Sequence, residues 1–359
     1  MNQRQKILVA MCGGVDSSVA AALLVEEGHE VAGATIRTWA SNSCASRNTR
    51  ACCGLTGVED ARDVAERLGI RYWVFNFEEE FKRHVVDYFA SEYLKGRTPN
   101  PCVACNEHIK FRLFLKRARQ LGFDAIATGH YARVVYDEKY QAHTIEEGED
   151  PSKDQSYVLF PLDQGVLKQL YLPVGDRKKS EIREKARALG LASVMDKPDS
   201  QEICFIPSND HAAFLEKEFD AKKEPGVIRT REGKVLGQHT GYYQFTRGQR
   251  RGLGVSHTER LYVLETIPET NEVIVGTKEE VMDTSFGVER VNWFLRPDRP
   301  CFEANVKIRS QHAKAPAQIE ILSGNEVRVT FEEPQEAVTP GQAAVFYEGS
   351  RLLGGGWIG

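Results

Sequence analysis

The chain reads as an α/β N-terminal domain with a parallel sheet, followed by a small central β-rich domain and a C-terminal β-barrel. Three observations predict this. Over the first 130 residues, short apolar runs alternate with helix-length amphipathic segments, the pattern of βαβ units with helices on both faces of a sheet. From about Pro225 the helical period gives way to short strands broken by glycine, as in GKVLGQHTGYY. From Val288 onward, alternating runs such as NEVRVTF and AAVFYEGSRLLGGGWIG suit a small closed barrel. At 359 residues the chain is too long for one ordinary core, and boundaries fall near 213 and 283, giving domains 1–212, 213–282 and 283–359.

The elements follow in order. Lys6–Met11 predicts a buried strand, Ser17–Glu27 a helix, Glu30–Ile36 a strand, Gly57–Leu68 a helix and Arg71–Phe75 a strand. Helices are expected around Phe81–Leu94 and Ile109–Gln120, with the strand Ala125–Thr128 after them. The segment NPCVACNEHIKF, residues 100–111, carries two cysteines three apart in a proline-bearing loop that runs into the basic helix. DRKKSEIREKARALG predicts an amphipathic helix closed by Gly190. It and KFRLFLKRAR, residues 110–119, are candidate surfaces for RNA phosphates, although charge runs of this kind are usually a solvated face.

Composition excludes some classes. A net charge of −4 leaves no global polyanion-binding signature, so any nucleic-acid contact is local. No apolar stretch approaches bilayer-spanning length and no secretory pattern is present, so a cytoplasmic protein is expected. Eight cysteines, unevenly spaced, are too few for a disulfide scaffold, which points to catalytic, metal-binding or buried thiols. Cys301 reads as a small buried hydrophobe and Cys12 as loop packing. Cys44, Cys52 and Cys53, spaced C-x7-C-C, fit no zinc pattern and read as surface-loop residues.

Two stretches carry chemistry. ILVAMCGGVDSSVAAALL passes from a strand through Gly13 and Gly14 into a helix, so backbone N–H groups and the helix N-terminus are available to cradle phosphates. Ser17 and Ser18 offer hydroxyls, and Asp16 a ligand for Mg2+ or a group that orients a nucleotide. The loop lacks the lysine of G-x-x-x-x-G-K-[ST] and the third glycine of G-x-G-x-x-G. From the residues alone, C-x-x-C at Cys102 and Cys105 is open between a metal clip, a redox pair, and one working cysteine beside a bystander.

The loop resembles the S-G-G-x-D-S-S loop of the PP-loop ATP pyrophosphatases, with Cys12 where serine is usual. That likeness implies an adenine nucleotide alpha hydrolase-like fold and activation of a carbonyl oxygen as an adenylate. Together with GRTPNPCVACNEHIKF (96–111), ATGHYAR (127–133), KDQSY (153–157), DSQEICFI (199–206), TRGQRRGLG (246–254) and VTPGQAAVFY (338–347), the loop makes the chain resemble the tRNA-specific 2-thiouridylases. The resemblance implies conversion of the wobble uridine to 2-thiouridine, with AMP and pyrophosphate released. It implies Cys105 as nucleophile and Cys204 as persulfide carrier, the two able to form a disulfide. ATP and Mg2+ contacts would come from Ala10, Met11, Cys12, Gly13, Gly14, Val15, Asp16, Ser17, Ile36 and Gly129. The target base would meet Asn100, Pro101 and Cys102, and tRNA would meet Lys153, Asp154, Gln155, Arg309 and Ser310. At Ile36 methionine is frequent in the family, at Ser310 tyrosine, and at Cys102 sometimes aspartate.

The implied partners are tRNAs for lysine, glutamate and glutamine and a sulfur-relay or cysteine desulfurase protein, with no membrane. Three thiols at Cys102, Cys105 and Cys204 would also suit a [4Fe–4S] cluster with one open iron, an alternative sulfur route. Two rival readings remain. A PP-loop amide ligase would use the same loop without Cys105 and Cys204, and a noncatalytic metal-dependent RNA-binding protein would use C-x-x-C as a clip. His130 is balanced between a satisfied loop histidine and a ligand group.

Overall fold

The computed structural model describes residues 4–39, 55–198, 203–206 and 209–359. Its first sheet is built from β1 (Lys6–Ala10), β2 (Glu30–Arg37), β3 (Arg71–Asn76) and β4 (Ala125–Ala127). The chain then makes a hairpin from β5 (Ala132–Asp137) and β6 (Ala142–Glu147), and β7 (Leu170–Tyr171) completes the sheet in the order β3-β2-β1-β4-β7, all parallel. Leu8 sits in register between Ala32 and Ile126. Parallel strands are covered on both faces, and β1 shows how. Ile7 and Val9 pack with Val19 and Leu24 of α1 (Val15–Glu26), while Leu8 packs with Phe111 and Phe114 on the opposite face.

The central domain is a four-stranded sheet of β8 (Gly226–Thr230), β9 (Val235–His239), β10 (Tyr262–Ile267) and β11 (Glu272–Gly276) around Ile228, Val263, Val273 and Val275. The last domain contains β12 (Met282–Trp293), β13 (Cys301–Lys307), β14 (Ala315–Ser323), β15 (Glu326–Glu336), β16 (Ala343–Glu348) and β17 (Arg351–Ile358). These run β12-β15-β14-β13-β16-β17, and β17 pairs back onto β12, which closes a six-stranded barrel.

The β5–β6 hairpin, absent from the sequence reading, leaves the first sheet and adds to the barrel, with Glu146 opposite Arg351. Its turn carries no glycine; Gln141 takes the left-handed conformation at φ 50°. Side-chain donors seal the join. Thr144 Oγ1 donates to the Leu352 carbonyl (2.6 Å), Tyr157 to that of Ala343 (2.9 Å), and Asn292 Nδ2 to those of Phe160 (2.7 Å) and Leu162 (2.8 Å). Phe89, Phe111 and Phe160 therefore share one core with Phe346, Trp357 and Ile358.

Two expectations are corrected. NPCVACNEHIKF is not a loop, because Asn100 caps a helix by accepting from the Val103 N–H (3.2 Å) and Pro101 occupies the first helical position, where its missing N–H costs nothing. The run continues as Cys105–Leu113, wound in wide π-type turns, and Phe114–Gln120. Cys301 is exposed, because β13 alternates and positions 301 and 303 face outward while Ala304 and Val306 face the core.

Phe160 is 1% exposed, its ring lies 5.6 Å from that of Trp357, and a Cβ on Gly355 would come within 2.9 Å of it. Phe160→Ala is expected to cost about 3–5 kcal/mol. Urea unfolding followed by tryptophan fluorescence measures the loss.

Candidate functional site

The loop after β1 is held from all sides. Met11 N–H donates to the Ala34 carbonyl (2.9 Å), and Thr35 Oγ1 donates to that of Met11 (2.6 Å) while accepting from Tyr72 (2.6 Å). Gly13 has φ +72°, and a Cβ there would lie 2.3 Å from the Gly57 carbonyl oxygen, so only glycine fits. Gly129 closes the other side, since a Cβ on it would lie 2.6 Å from the Ser17 nitrogen. Ser17 Oγ accepts from the Cys12 N–H (3.2 Å), and exposed Cys12 places its Sγ 3.5 Å from the same hydroxyl rather than packing inward.

The residues fit a nucleotide triphosphate. Gly14 is the N-cap of α1 and supplies no side-chain cap, so the positive end of a twelve-residue helix opens onto the loop. Charge is supplied from far away in sequence. Lys179, 8% exposed, brings Nζ to 2.7 and 2.8 Å from the two Asp16 carboxylate oxygens, and Tyr131 donates to Asp16 Oδ1 at 2.6 Å. Lys197 donates to the Gly13 carbonyl (2.9 Å) and pairs with Asp60. Sequence reading missed both lysines, and it placed Lys179, whose side chain the structure turns inward, in a candidate RNA surface of which Arg177, Lys178 and Arg187 are exposed. Ala10 and Ile36, at the ends of β1 and β2, are partly buried.

His130 is buried with Nδ1 2.7 Å from Thr128 Oγ1, and burial first, with the charge of Lys110 second, pushes its pKa down to about 3. It is neutral at physiological pH. On the 110–119 run, Phe111, Phe114, Leu115 and Ala118 are buried and Lys116, Arg117 and Arg119 are exposed; Arg119 donates to Gln169 (3.0 Å). That is a solvated helix face.

Beside this loop lies the cysteine helix. Its lead-in is bolted to the barrel: Thr98 N–H donates to the Pro340 carbonyl (2.9 Å), and Gln342 Nε2 donates to those of Thr98 (2.9 Å) and Pro99 (3.2 Å). Burial pushes the Tyr157 phenol well above its ordinary pKa against the lowering influences of the Ala343 carbonyl, the Arg309 charge and the Asn100 side chain. Asn100 and Arg309, expected at the base and tRNA sites, thus act on one side chain from two domains. Arg309 and Ser310 are exposed at the barrel rim. Lys153 is partly buried and Gln155 exposed, whereas Asp154 is committed to its own loop, accepting from Gly148 N–H (3.2 Å), Ser156 N–H (3.1 Å) and Ser156 Oγ (2.9 Å).

Cys105 is buried within the core and Cys102, one turn earlier, is exposed. Asn106 beside Cys105 is buried and donates from Nδ2 to the Val158 carbonyl (3.1 Å), while its Oδ1 accepts from none of the described residues. Cys204 is exposed and is anchored by its neighbour. The ring of Phe205 lies 5.7 Å from Phe81, 5.4 Å from Phe89 and 5.3 Å from Phe214, in the same core as Cys105. Among the described residues no three His, Cys, Asp or Glu side chains gather as a metal requires, so the alternative of a cluster on Cys102, Cys105 and Cys204 finds no support in the geometry. One thiol of the helical pair turns into the core while the other faces solvent. Cys44, Cys52 and Cys53 lie outside the described residues.

Comparison with known proteins now bears on the arrangement. Residues 5–208 match the tRNA methyl transferase HUP domain, 212–277 the tRNA methyl transferase PRC-barrel domain, and 283–358 the aminomethyltransferase beta-barrel domain. The chain is similar to the tRNA-specific 2-thiouridylase of Carboxydothermus hydrogenoformans, 49% identical over 99% of this chain and 98% of that protein. It is similarly 49% identical to that of Geobacter metallireducens, over 99% and 97%. The protein of the same name from Clostridium acetobutylicum is 45% identical over 99% of each chain.

Two substitutions test the geometry. Gly129→Ala drives a methyl into the Ser17 backbone and is expected to weaken ATP binding about tenfold, read by calorimetric titration. Phe205→Ala releases the Cys204 segment and is expected to slow single-turnover sulfur transfer roughly 10²-fold. ATP affinity in that variant should stay at the wild-type value.

Proposed function

This chain belongs to the tRNA-specific 2-thiouridylase family, and from that premise we propose how its own residues divide an ATP-dependent tRNA-uridine 2-sulfurtransferase reaction. The observation that carries the reading is the meeting of two features. A phosphate-cradling loop with an open helix N-terminus belongs to the same domain as a capped helix bearing Cys105 and an aromatic-anchored turn bearing Cys204.

The domains divide the work: residues 1–212 bind ATP and do the chemistry, 213–282 form the central β-rich domain, and the barrel of 283–359 contacts tRNA. Ala10 to Ser17, Ile36 and Gly129 bind ATP, and Asp16, its carboxylate oxygens engaged by Lys179 and Tyr131, orients the nucleotide, while Mg2+ would supply charge neutralisation at the phosphates when bound. The wobble uridine enters at Asn100, Pro101 and Cys102, its tRNA held by Lys153, Gln155, Arg309 and Ser310. The amide-like C2 oxygen is a poor leaving group. Its attack on the α-phosphate releases pyrophosphate and leaves the oxygen bound to AMP. The terminal sulfur of a persulfide on Cys204, loaded by a sulfur-relay or desulfurase protein, then attacks C2 and AMP departs. Cys105 thiolate attacks the Cys204 Sγ, which frees 2-thiouridine and leaves a Cys105–Cys204 disulfide for an external thiol to reduce.

Cys105 sits in the first turns of a helix, where the partial positive charge favours thiolate. This division also separates the reading from the methyl transfer in the matched domain names, which needs neither an ATP-splitting loop nor a persulfide. An amide ligase shares the loop, yet gives Cys204 and its aromatic anchor no task. Lysine, glutamate and glutamine tRNAs are the expected substrates.

Cys105→Ser and Cys204→Ser are each expected to abolish 2-thiouridine, measured by mass spectrometry of tRNA nucleosides, with ATP affinity retained. Full thiolation by either variant rejects the assigned roles.

A further inference from the structure

The segment TRGQRRGLG and the residues after it remain unassigned by the reaction. Residues 246–261 form a surface loop of the central domain, anchored at three places. Gly248 N–H donates to the Val263 carbonyl (2.8 Å) and Val263 N–H to that of Gln249 (2.9 Å), which ties the loop to β10. Leu253 and Leu261 are buried in the central core. Arg247 is spent internally, donating to the Leu264 carbonyl (2.5 Å) and to Asp283 Oδ2 (2.8 Å).

The other arginines are not spent. Arg250, Arg251 and Arg260 are exposed, and among the described residues none has a carboxylate partner. Arg250, Leu253, Val255, His257, Glu259 and Arg260 line a concavity of about 440 Å³. Gly252 and Gly254 have φ of +76° and +67°, and a Cβ on Gly254 would meet nothing within 4 Å. Glycine there keeps the floor of the concavity bare backbone. Three guanidinium groups less the one carboxylate, Glu259, leave a local charge of +2 on a chain whose net charge is −4.

We propose that this loop is a second tRNA contact, a phosphate-backbone clamp in which Arg250, Arg251 and Arg260 neutralise phosphates without reading bases. An unpaired, solvent-facing arginine cluster is costly to the compact state unless a polyanion meets it, and guanidinium forks match phosphate oxygens. Placement supports RNA as the occupant. The central domain docks beside the entry to the cysteine helix, with Tyr242 donating to the Leu94 carbonyl (2.7 Å) and Thr266 Oγ1 to that of Gly96 (3.2 Å). A tRNA with its target base at Asn100 therefore has the same domain beside its stem. The inference rests on the tRNA reading above.

The test is the salt dependence of tRNA affinity, by filter binding between about 50 and 200 mM salt, the range in which counterion release is legible. Arg250→Ala/Arg251→Ala/Arg260→Ala is expected to lower the slope of log affinity against log salt by about two to three, and affinity at low salt by at least roughly tenfold. The corresponding triple lysine variant should keep most of the slope, because phosphate contact needs charge rather than a bidentate fork. Melting temperature and ATP affinity establish that both variants are folded. An unchanged slope in the folded alanine variant overturns the proposal, as does a defect seen only when sulfur arrives on a carrier protein and not when sulfide supplies it. Failure of the wild-type chain to bind tRNA would instead reject the parent reading.

Discussion

The structure turns on the five residues from Gly96 to Asn100, where all three domains meet. Pro99 and Pro101 have no N–H to give, so their neighbourhood is rich in carbonyls that must find donors elsewhere. Gln342 of the barrel supplies two, to Thr98 and Pro99, and Pro340 takes the Thr98 N–H, while Thr266 of the central domain covers Gly96. Only with that strip fixed does Asn100 stand where its side chain caps the helix. Cys105 is therefore positioned by the barrel as much as by its own domain. Loss of barrel docking would free the Cys105 helix, not merely remove a neighbouring domain.

A second constraint is electrostatic. The phosphate loop carries an acid, Asp16, at the mouth of a site for a polyanion, and lacks the lysine that a Walker loop encodes within its own motif. The structure supplies the cation in space instead of in sequence: Lys179 lies 163 positions from Asp16, and Lys197 lies 184 from Gly13. With both oxygens of Asp16 engaged by Lys179 and one also by Tyr131, the loop is neutralised and rigid before substrate arrives. Preorganisation of this kind removes ordering cost from binding.

What was legible in the sequence divides along the same line between local and distant causes. β1, α1 and β2 were readable because apolar period and glycine punctuation are local signals, and the β-rich character after Pro225 was readable for the same reason. The cysteine segment, with its two prolines, reads as a loop in sequence, yet Pro101 at the first helical position starts a helix. The hairpin at 132–147 went unseen because its turn uses Gln141 in place of glycine, and because its partner strand lies some 200 residues away in the barrel. Lys179 looked like one more charge on an amphipathic helix. Only tertiary packing buries it against an acid from another element. Cys301 was assigned by residue-type statistics, and the alternation of β13 overruled them.

The contrast between the two cysteines assigned to sulfur transfer gives the proposed site its logic. Cys204 is exposed, as a thiol must be if a separate protein is to load it with sulfur, and its neighbour Phe205 is locked among four aromatic rings so that exposure does not mean loss of position. Cys105 is buried, which shields it from oxidants that would spend it before turnover. In the proposed reaction the helix that starts at Pro101 adds the partial positive charge of its N-terminal end, so one thiol is protected and activated by the same stretch of chain. In the proposed reaction sulfur thus enters from solvent at the exposed Cys204 and leaves on the uridine, and the buried Cys105 is spent only in releasing it.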